Sequence, residues 1–168
     1  MTALLDTVDP DGLLDYSVVF TDRSLNHLSA KFQGVMRDIS SILKEVYSAD
    51  GVAVIPGGGT YGMEAVARQI AVGKNVMVLR NGWFSYRWTQ IFEAGSIPAS
   101  ETVMKARRVG NGVQAAFAPA PIAEVVAKIL SDQPDVVFAP HVETYAGLIL
   151  PDASLKQASQ AGHSYGGL

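Results

Sequence analysis

The chain has 168 residues, which is enough for one ordinary domain with a hydrophobic core. Hydrophobic residues make up 48% and charged residues 17%, a composition typical of a folded globular protein rather than a disordered one. The net charge of −3 gives no sign of a nucleic-acid partner, and no apolar run is long enough to span a membrane. Cysteine is absent, which excludes thiolate chemistry within this sequence and fits a reducing compartment, so we expect a cytoplasmic protein.

Residues 1–24 lack clear hydrophobic periodicity, and we interpret them as an N-terminal arm that precedes a domain over residues 25–168. The acidic N-terminus differs from the basic start of a signal peptide. Ser29 is the expected N-cap of a long helix from about Ala30 to Tyr47. Apolar residues recur along this helix at helical spacing and predict one buried stripe. They are Phe32, Val35, Met36, Ile39, Ile42, Leu43 and Val46.

Short apolar segments then alternate with segments of helical pattern. Strands are expected at Val52–Ile55, Val76–Leu79, Thr102–Lys105 and Val136–Ala139. Helices are expected from the glycine loop to about Val72, over Phe84–Ala94, from Pro121 to about Ser131, and from a cap at Asp152 or Ser154 to about Gly162. Residues 107–120 have no clear pattern, and residues 163–168 lead toward a further strand. The alternation predicts an α/β fold with three layers, in which a mostly parallel sheet is flanked by helices.

Three loops follow strands at the carboxyl edge of this sheet, where such folds bind ligands. They are Gly57–Thr60, Asn81–Phe84 and His141–Gly147. In the first loop, glycines let the backbone approach a ligand closely, and the following helix N-terminus favours negative charge. Thr60 adds a hydroxyl donor. We therefore expect an anion here, and a phosphate first of all; the alternative is a tight turn that binds nothing.

The run Gly57–Gly62 also matches the G-x-G-x-x-G pattern of dinucleotide-binding proteins. That pattern requires an acidic residue at the end of the second strand, where this sequence has Arg80 and Asn81. An NADP-type site that uses Gly57, Gly59 and Gly62, with Arg80 near a 2′-phosphate, is the version that remains.

Several charged and aromatic residues have simpler interpretations than catalysis. Glu64 and Arg68 stand four residues apart on a predicted helix and should form a surface ion pair. Arg87 and Trp88 fit packing or a subunit contact better than chemistry. No set of His, Asp and Glu has the spacing of metal ligands, so we predict no metal.

Three segments in the same order and at similar distances resemble class V aminotransferases, which are fold-type I pyridoxal-phosphate enzymes. The segments are Pro56–Ala65, Asn81–Trp88 and His141–Gly147. The alanine/serine–glyoxylate aminotransferase branch is the most similar, and the likeness runs from about Asn26 to the end of the chain. The resemblance implies the large cofactor-binding domain of these enzymes, in an incomplete form.

The resemblance also implies a set of residues that bind pyridoxal 5′-phosphate. Gly58, Gly59 and Thr60 match the turn that holds the cofactor phosphate. Phe84 matches the aromatic residue that stacks on the cofactor ring, and an aromatic contact of this kind contributes about 1 kcal/mol. Thr144 matches the small hydroxyl residue on the side of the ring oxygen.

Three further details accompany these assignments. Gly58 stands where many relatives have serine, so backbone N–H groups must replace one hydroxyl contact. Trp83 is adjacent to Phe84 and becomes the stacking residue if the alignment shifts by one. His141 and Glu143 are expected to support the shape of their loop.

The reaction that the resemblance implies moves an amino group from a small amino acid to a 2-oxo acid such as glyoxylate, in a homodimer. It needs a Schiff-base lysine and a carboxylate at the pyridine nitrogen. No residue here matches either, including the lysines, so we identify no catalytic residue and expect part of a longer enzyme that is inactive alone. The alternatives are an NADP-binding oxidoreductase domain and a non-catalytic fragment that dimerises through its arm and first helix.

Overall fold

The computed structural model describes residues 27–168, so the predicted arm over residues 1–24 lies outside the described part of the chain. Contacts divide the chain after Val54 into two compact units, of which the second runs from Ile55 to Leu168. The first unit contributes one described helix, and all other helices and strands belong to the second.

Helix α1 spans Ala30–Tyr47, and it begins and ends where the sequence predicts. The Ser29 hydroxyl accepts a hydrogen bond from the Phe32 N–H at 3.1 Å, which satisfies one of the free donors of the first turn. The predicted burial of its apolar stripe is wrong for the described residues, because no residue of α1 is buried. Ile42, for example, is 58% exposed. An amphipathic helix cannot cover its own apolar face and needs a second layer to bury it.

The second unit is built on a parallel sheet of three strands in the order β2-β1-β5. The strands are β1 (Asn75–Arg80), β2 (Ser100–Lys105) and β5 (Val136–Phe138). Met77 of β1 is paired with Thr102 on one side and with Val137 on the other. The central strand is buried on both faces, as expected for the middle of a parallel sheet.

Helices cover both faces of this sheet. They are α2 (Gly59–Ile70), α3 (Trp83–Gly95), α4 (Ile122–Asp132) and α5 (Asp152–His163). Alternate residues of β1 point to opposite sides: Val76 and Val78 pack with residues of α2 and α3, whereas Met77 and Leu79 pack with residues of α4 and α5. This arrangement confirms the predicted three-layer α/β fold with a parallel sheet.

Two short antiparallel hairpins lie outside the main sheet. One joins β3 (Arg107–Arg108) to β4 (Phe117–Ala118) within the region that had no clear pattern. The other joins β6 (Val142–Glu143) to β7 (Leu148–Ile149) through a 3₁₀ helix over Thr144–Ala146. The segment His141–Gly147 was predicted as a plain loop, and the hairpin gives it a more defined shape.

The predicted strand over Val52–Ile55 is wrong, because these residues have no regular secondary structure. A strand exists through backbone hydrogen bonds to a neighbour, and residues 51–55 make none with the rest of the described chain. Two cap positions also differ: Pro121 and Pro151 are the N-caps of α4 and α5, and Asp152 lies in the first turn. Leu168 exchanges backbone hydrogen bonds with Asp135 and Val137, as a strand beside β5 would.

Among residues 27–168, no helix is both long and apolar enough to cross a membrane.

Candidate functional site

The glycine loop ends at the N-terminus of α2, as the sequence predicts. Gly58 is the N-cap, with extended backbone angles and no side chain to bond the first turn. Gly57 has a φ of +129°, and a Cβ at this position would overlap the ring of Tyr61. The loop therefore needs glycine at position 57, and the N-terminal N–H groups of α2 have no side-chain cap. Such groups are the ordinary donors for a bound anion.

Thr60 and Arg87 meet beside this helix N-terminus. Arg87 Nη1 donates a hydrogen bond to Thr60 Oγ1 at 2.9 Å, so the hydroxyl of Thr60 keeps its own hydrogen for another acceptor. Arg87 Nε is buried and has no hydrogen-bond partner among the described residues. A buried donor without a partner is costly, and a bound anion would satisfy it.

These groups line one pocket of about 410 Å³. Its walls combine the start of α2 with one face of α3 and with Pro140, the second residue after β5. The lining residues are Gly59, Thr60, Met63, Phe84, Arg87, Trp88 and Pro140. A hydroxyl donor, a guanidinium and a helix N-terminus lie beside an aromatic ring. This donor set fits a phosphate joined to a flat apolar group, as in pyridoxal 5′-phosphate.

Phe84 and its neighbour Trp83 take different places. Phe84 lies in the pocket with Gly59 and Thr60 and is 40% exposed, so its ring is available to a ligand. Trp83 lines a neighbouring groove with Arg68, which shares Arg87 with the pocket, and its ring contacts that of Tyr86 at a centroid distance of 5.8 Å. Phe84 is therefore the better placed of the two for contact with a group that occupies the pocket.

Thr144 does not line this pocket, although its loop contacts the same helix. It begins the 3₁₀ helix and is exposed. Its neighbour Tyr145 places its ring 5.9 Å from that of Phe84. On the other side, Glu143 is only 1% exposed and accepts hydrogen bonds from the N–H groups of Phe84 and Ser85, at 2.9 and 2.5 Å.

His141 supports the shape of its loop through its backbone and not through its side chain. Its carbonyl accepts a hydrogen bond from the Leu150 N–H at 2.9 Å, which closes the base of the hairpin. The imidazole lies 3.8 Å from Asp152 in an exposed pair.

Ser85 is a fully buried residue in this region that sequence reasoning overlooked. Its hydroxyl accepts hydrogen bonds from the Asn81 and Gly82 N–H groups at 2.8 and 3.0 Å and donates one to the Gly82 carbonyl at 3.2 Å. These bonds fix the turn between β1 and α3. A serine three residues after a glycine at a strand end was a usable signal for such a cap.

Arg87 was also interpreted as a packing residue, and its contact with Thr60 gives it another role. The usable signal was its spacing from Phe84, because residues three apart on a helix share a face. Trp88 does pack as predicted, 4.5 Å from Phe138 between ring centroids. The predicted surface pair is present as well, with Arg68 Nε bonded to Glu64 Oε1 at 2.8 Å.

The structure does not support the NADP-type site. The glycine loop lacks the preceding strand that the dinucleotide pattern requires. Arg80 is engaged elsewhere: its guanidinium lies 5.2 Å from the centre of the Tyr86 ring and donates to Thr89 Oγ1 at 3.3 Å. Burial raises the pKa of the nearby Glu101, and Arg80 acts to lower it. Arg80 lines a groove that contains no residue of the glycine loop.

The fold is similar to that of two aminotransferases of known structure. The crystal structure of ureidoglycine–glyoxylate aminotransferase from Bacillus subtilis matches with a TM-score of 0.64 and 23% identity, over 82% of this chain. That of alanine–glyoxylate aminotransferase from Nostoc sp. matches with a TM-score of 0.60 and 23% identity, over 81% of this chain.

The match covers 33% and 34% of those two proteins, so this chain spans about a third of their length. At this level of identity the likeness establishes a shared fold. No protein-family profile and no curated protein sequence matches the chain.

Proposed function

We propose that this chain is the cofactor-phosphate-binding part of a pyridoxal 5′-phosphate-dependent aminotransferase. The pocket in which Thr60, Arg87 and Phe84 meet at the start of α2 is the observation that carries the proposal. The fold shared with two glyoxylate aminotransferases supports it. The reaction would transfer an amino group from a small amino acid to a 2-oxo acid such as glyoxylate.

Each part of the pocket would have a distinct task. The N–H groups at the start of α2 and the free hydrogen of Thr60 would hold the phosphate oxygens, and the Arg87 guanidinium would balance their charge. The Phe84 ring would cover one face of the pyridine ring, and Met63 and Trp88 would limit the access of water. When bound, the cofactor draws electrons from the α-carbon of the amino acid, which makes its proton easier to remove.

The proposal separates binding from catalysis. Among the described residues, no lysine lines this pocket, and a lysine is required for the chemistry. We therefore expect the 168-residue chain to bind phosphate compounds without transaminating.

We also propose that the active protein is a homodimer. Exposed aromatic side chains flank the pocket residues: Trp83 is 50% exposed, Tyr61 62% and Tyr145 81%. Aromatic residues are enriched in protein interfaces. Sedimentation velocity at several concentrations should give twice the mass of one chain, and a monomer at all concentrations would contradict a dimer formed by this chain.

Arg87 provides the experiment for the binding proposal. Calorimetric titration of Arg87→Gln with inorganic phosphate should give an affinity about tenfold or more below that of the wild-type chain, because a hydrogen bond to a charged group contributes about 1.5–3 kcal/mol. Arg68→Gln is the matched control, since it removes the same charge from an exposed pair outside the pocket. Equal losses in the two variants would mean that only net charge matters. A wild-type chain that binds no phosphate would favour the non-catalytic alternative.

A further inference from the structure

Glu143 is the most buried carboxylate among the described residues, at 1% exposure. No basic side chain in that part of the chain pairs with it. Its partners are instead two backbone donors at the start of α3: Oε2 accepts from the Phe84 N–H and Oε1 from the Ser85 N–H. A carboxylate in this position satisfies donors that have no partner within the helix, and it interacts favourably with the positive end of the helix dipole.

The contact joins two segments that are 58 residues apart in the sequence. Glu143 belongs to the hairpin that carries Thr144 and Tyr145, whereas Phe84 belongs to α3. Gly82 allows the close approach, because a Cβ there would lie 2.6 Å from Glu143 Oε2. The backbone of Gly82 is extended, with a φ of −177°, so the demand for glycine comes from the carboxylate rather than from strain.

We infer that Glu143 is a positioning residue, which clamps the first turn of α3 to the hairpin and so fixes the Phe84 ring at the pocket. The inference rests on the proposed function, because the contact of Glu143 would support binding of the cofactor ring and not binding of its phosphate. The phosphate-binding residues do not touch Glu143. Arg87 is in the second turn of α3. The buried residues Thr89, Ile91 and Phe92 follow it and hold that part of the helix in place without Glu143.

The experiment compares two probes, inorganic phosphate and pyridoxine 5′-phosphate, which carries the ring but has no aldehyde to react with lysines. In the wild-type chain, pyridoxine 5′-phosphate should bind more tightly than inorganic phosphate. In Glu143→Gln, its affinity should fall about fivefold, the equivalent of one aromatic contact, with the affinity for inorganic phosphate unchanged. The glutamine has nearly the same size but turns an N–H group toward one of the two backbone donors.

Gly82→Ala is the second variant, because its Cβ displaces the carboxylate without removing any charge. It should reproduce the selective loss, and the double variant should lose no more than either single one. Glu124→Gln, at an exposed glutamate paired with Arg107, is the control and should behave as wild type. Folded Glu143→Gln or Gly82→Ala protein that keeps the full preference for pyridoxine 5′-phosphate would overturn the inference alone. A wild-type chain without that preference would overturn both it and the ring contact of the proposed function.

Amide hydrogen exchange tests the clamp without any substitution. In the wild-type chain, exchange at Phe84 and Ser85 should be slower than at Trp83, whose N–H is also in the first turn of α3 but does not bond Glu143. Equal exchange at all three amides would overturn the inference.

Discussion

At the scale of single residues, we expect Phe84 to determine whether the pocket binds a ring. Its side chain is exposed beside Thr60, and among the aromatic rings of residues 27–168 it contacts that of Tyr145 alone. Phe84→Ala should therefore weaken binding of pyridoxine 5′-phosphate about fivefold, since an aromatic contact contributes about 0.5–1.5 kcal/mol. Calorimetric titration measures this change. Trp83→Ala is the control, because Trp83 lines another groove, and a larger loss in that variant would exchange the two roles.

Gly57 and Gly58 should respond differently to the same substitution. Gly57→Ala should destabilise the fold by about 1–3 kcal/mol, because its φ of +129° is unfavourable for alanine and the added Cβ meets the Tyr61 ring. Gly58→Ala should change little, since its φ is −79° and an added Cβ meets no atom within 4 Å. Thermal unfolding of both variants checks this. Equal melting temperatures would mean that the loop does not need the conformation described.

The sequence identified residues of the pocket more readily than the contacts between them. The resemblance named Gly58, Gly59, Thr60, Phe84 and Thr144, and the structure gathers Gly59, Thr60 and Phe84 in one pocket. The contact between Arg87 and Thr60 joins positions 27 residues apart, and such contacts depend on how two helices pack. Local patterns do not contain that information.

At the scale of elements, the start of α3 depends on the Ser85 hydroxyl. Ser85→Ala should destabilise the fold by about 1–3 kcal/mol, because it leaves the Asn81 and Gly82 N–H groups without their acceptor. The denaturant midpoint should fall accordingly. Ser131→Ala, at an exposed serine near the end of α4, should stay within about 0.5 kcal/mol of wild type. A Ser85→Ala variant as stable as this control would show that other acceptors replace the hydroxyl.

Helices with caps and strands with buried partners were the elements that sequence predicted well. The predicted bounds of helix α1 were correct at both ends. Ser29 caps its start, and Ser48, which has left-handed backbone angles, follows its end. The run Val52–Ile55 was mistaken for a strand, because an apolar β-branched segment has the same composition whether or not a neighbouring strand is present. Composition cannot supply the hydrogen-bonding partner.

At the scale of the whole molecule, the three-layer architecture brings the three predicted loops to one edge. Glu143 bonds the start of α3, and Arg87 of α3 bonds Thr60 at the start of α2. For the loops after β1 and β5, this convergence follows from the parallel order of the sheet, and alternation along the sequence could predict it. The glycine loop follows no strand and reaches the same place because α2 packs against α3. The catalytic groups that an aminotransferase needs have no counterpart among the residues that line the pocket.

The central claim is that the pocket binds the phosphate end of the cofactor. Calorimetric titration of the 168-residue chain with pyridoxine 5′-phosphate and with pyridoxine tests it most directly, because the two compounds differ only in the phosphate. The account predicts that pyridoxine 5′-phosphate binds at least about tenfold more tightly and is displaced by inorganic phosphate, as expected for several charged hydrogen bonds. Equal affinity for the two compounds, or no binding of either, would contradict it.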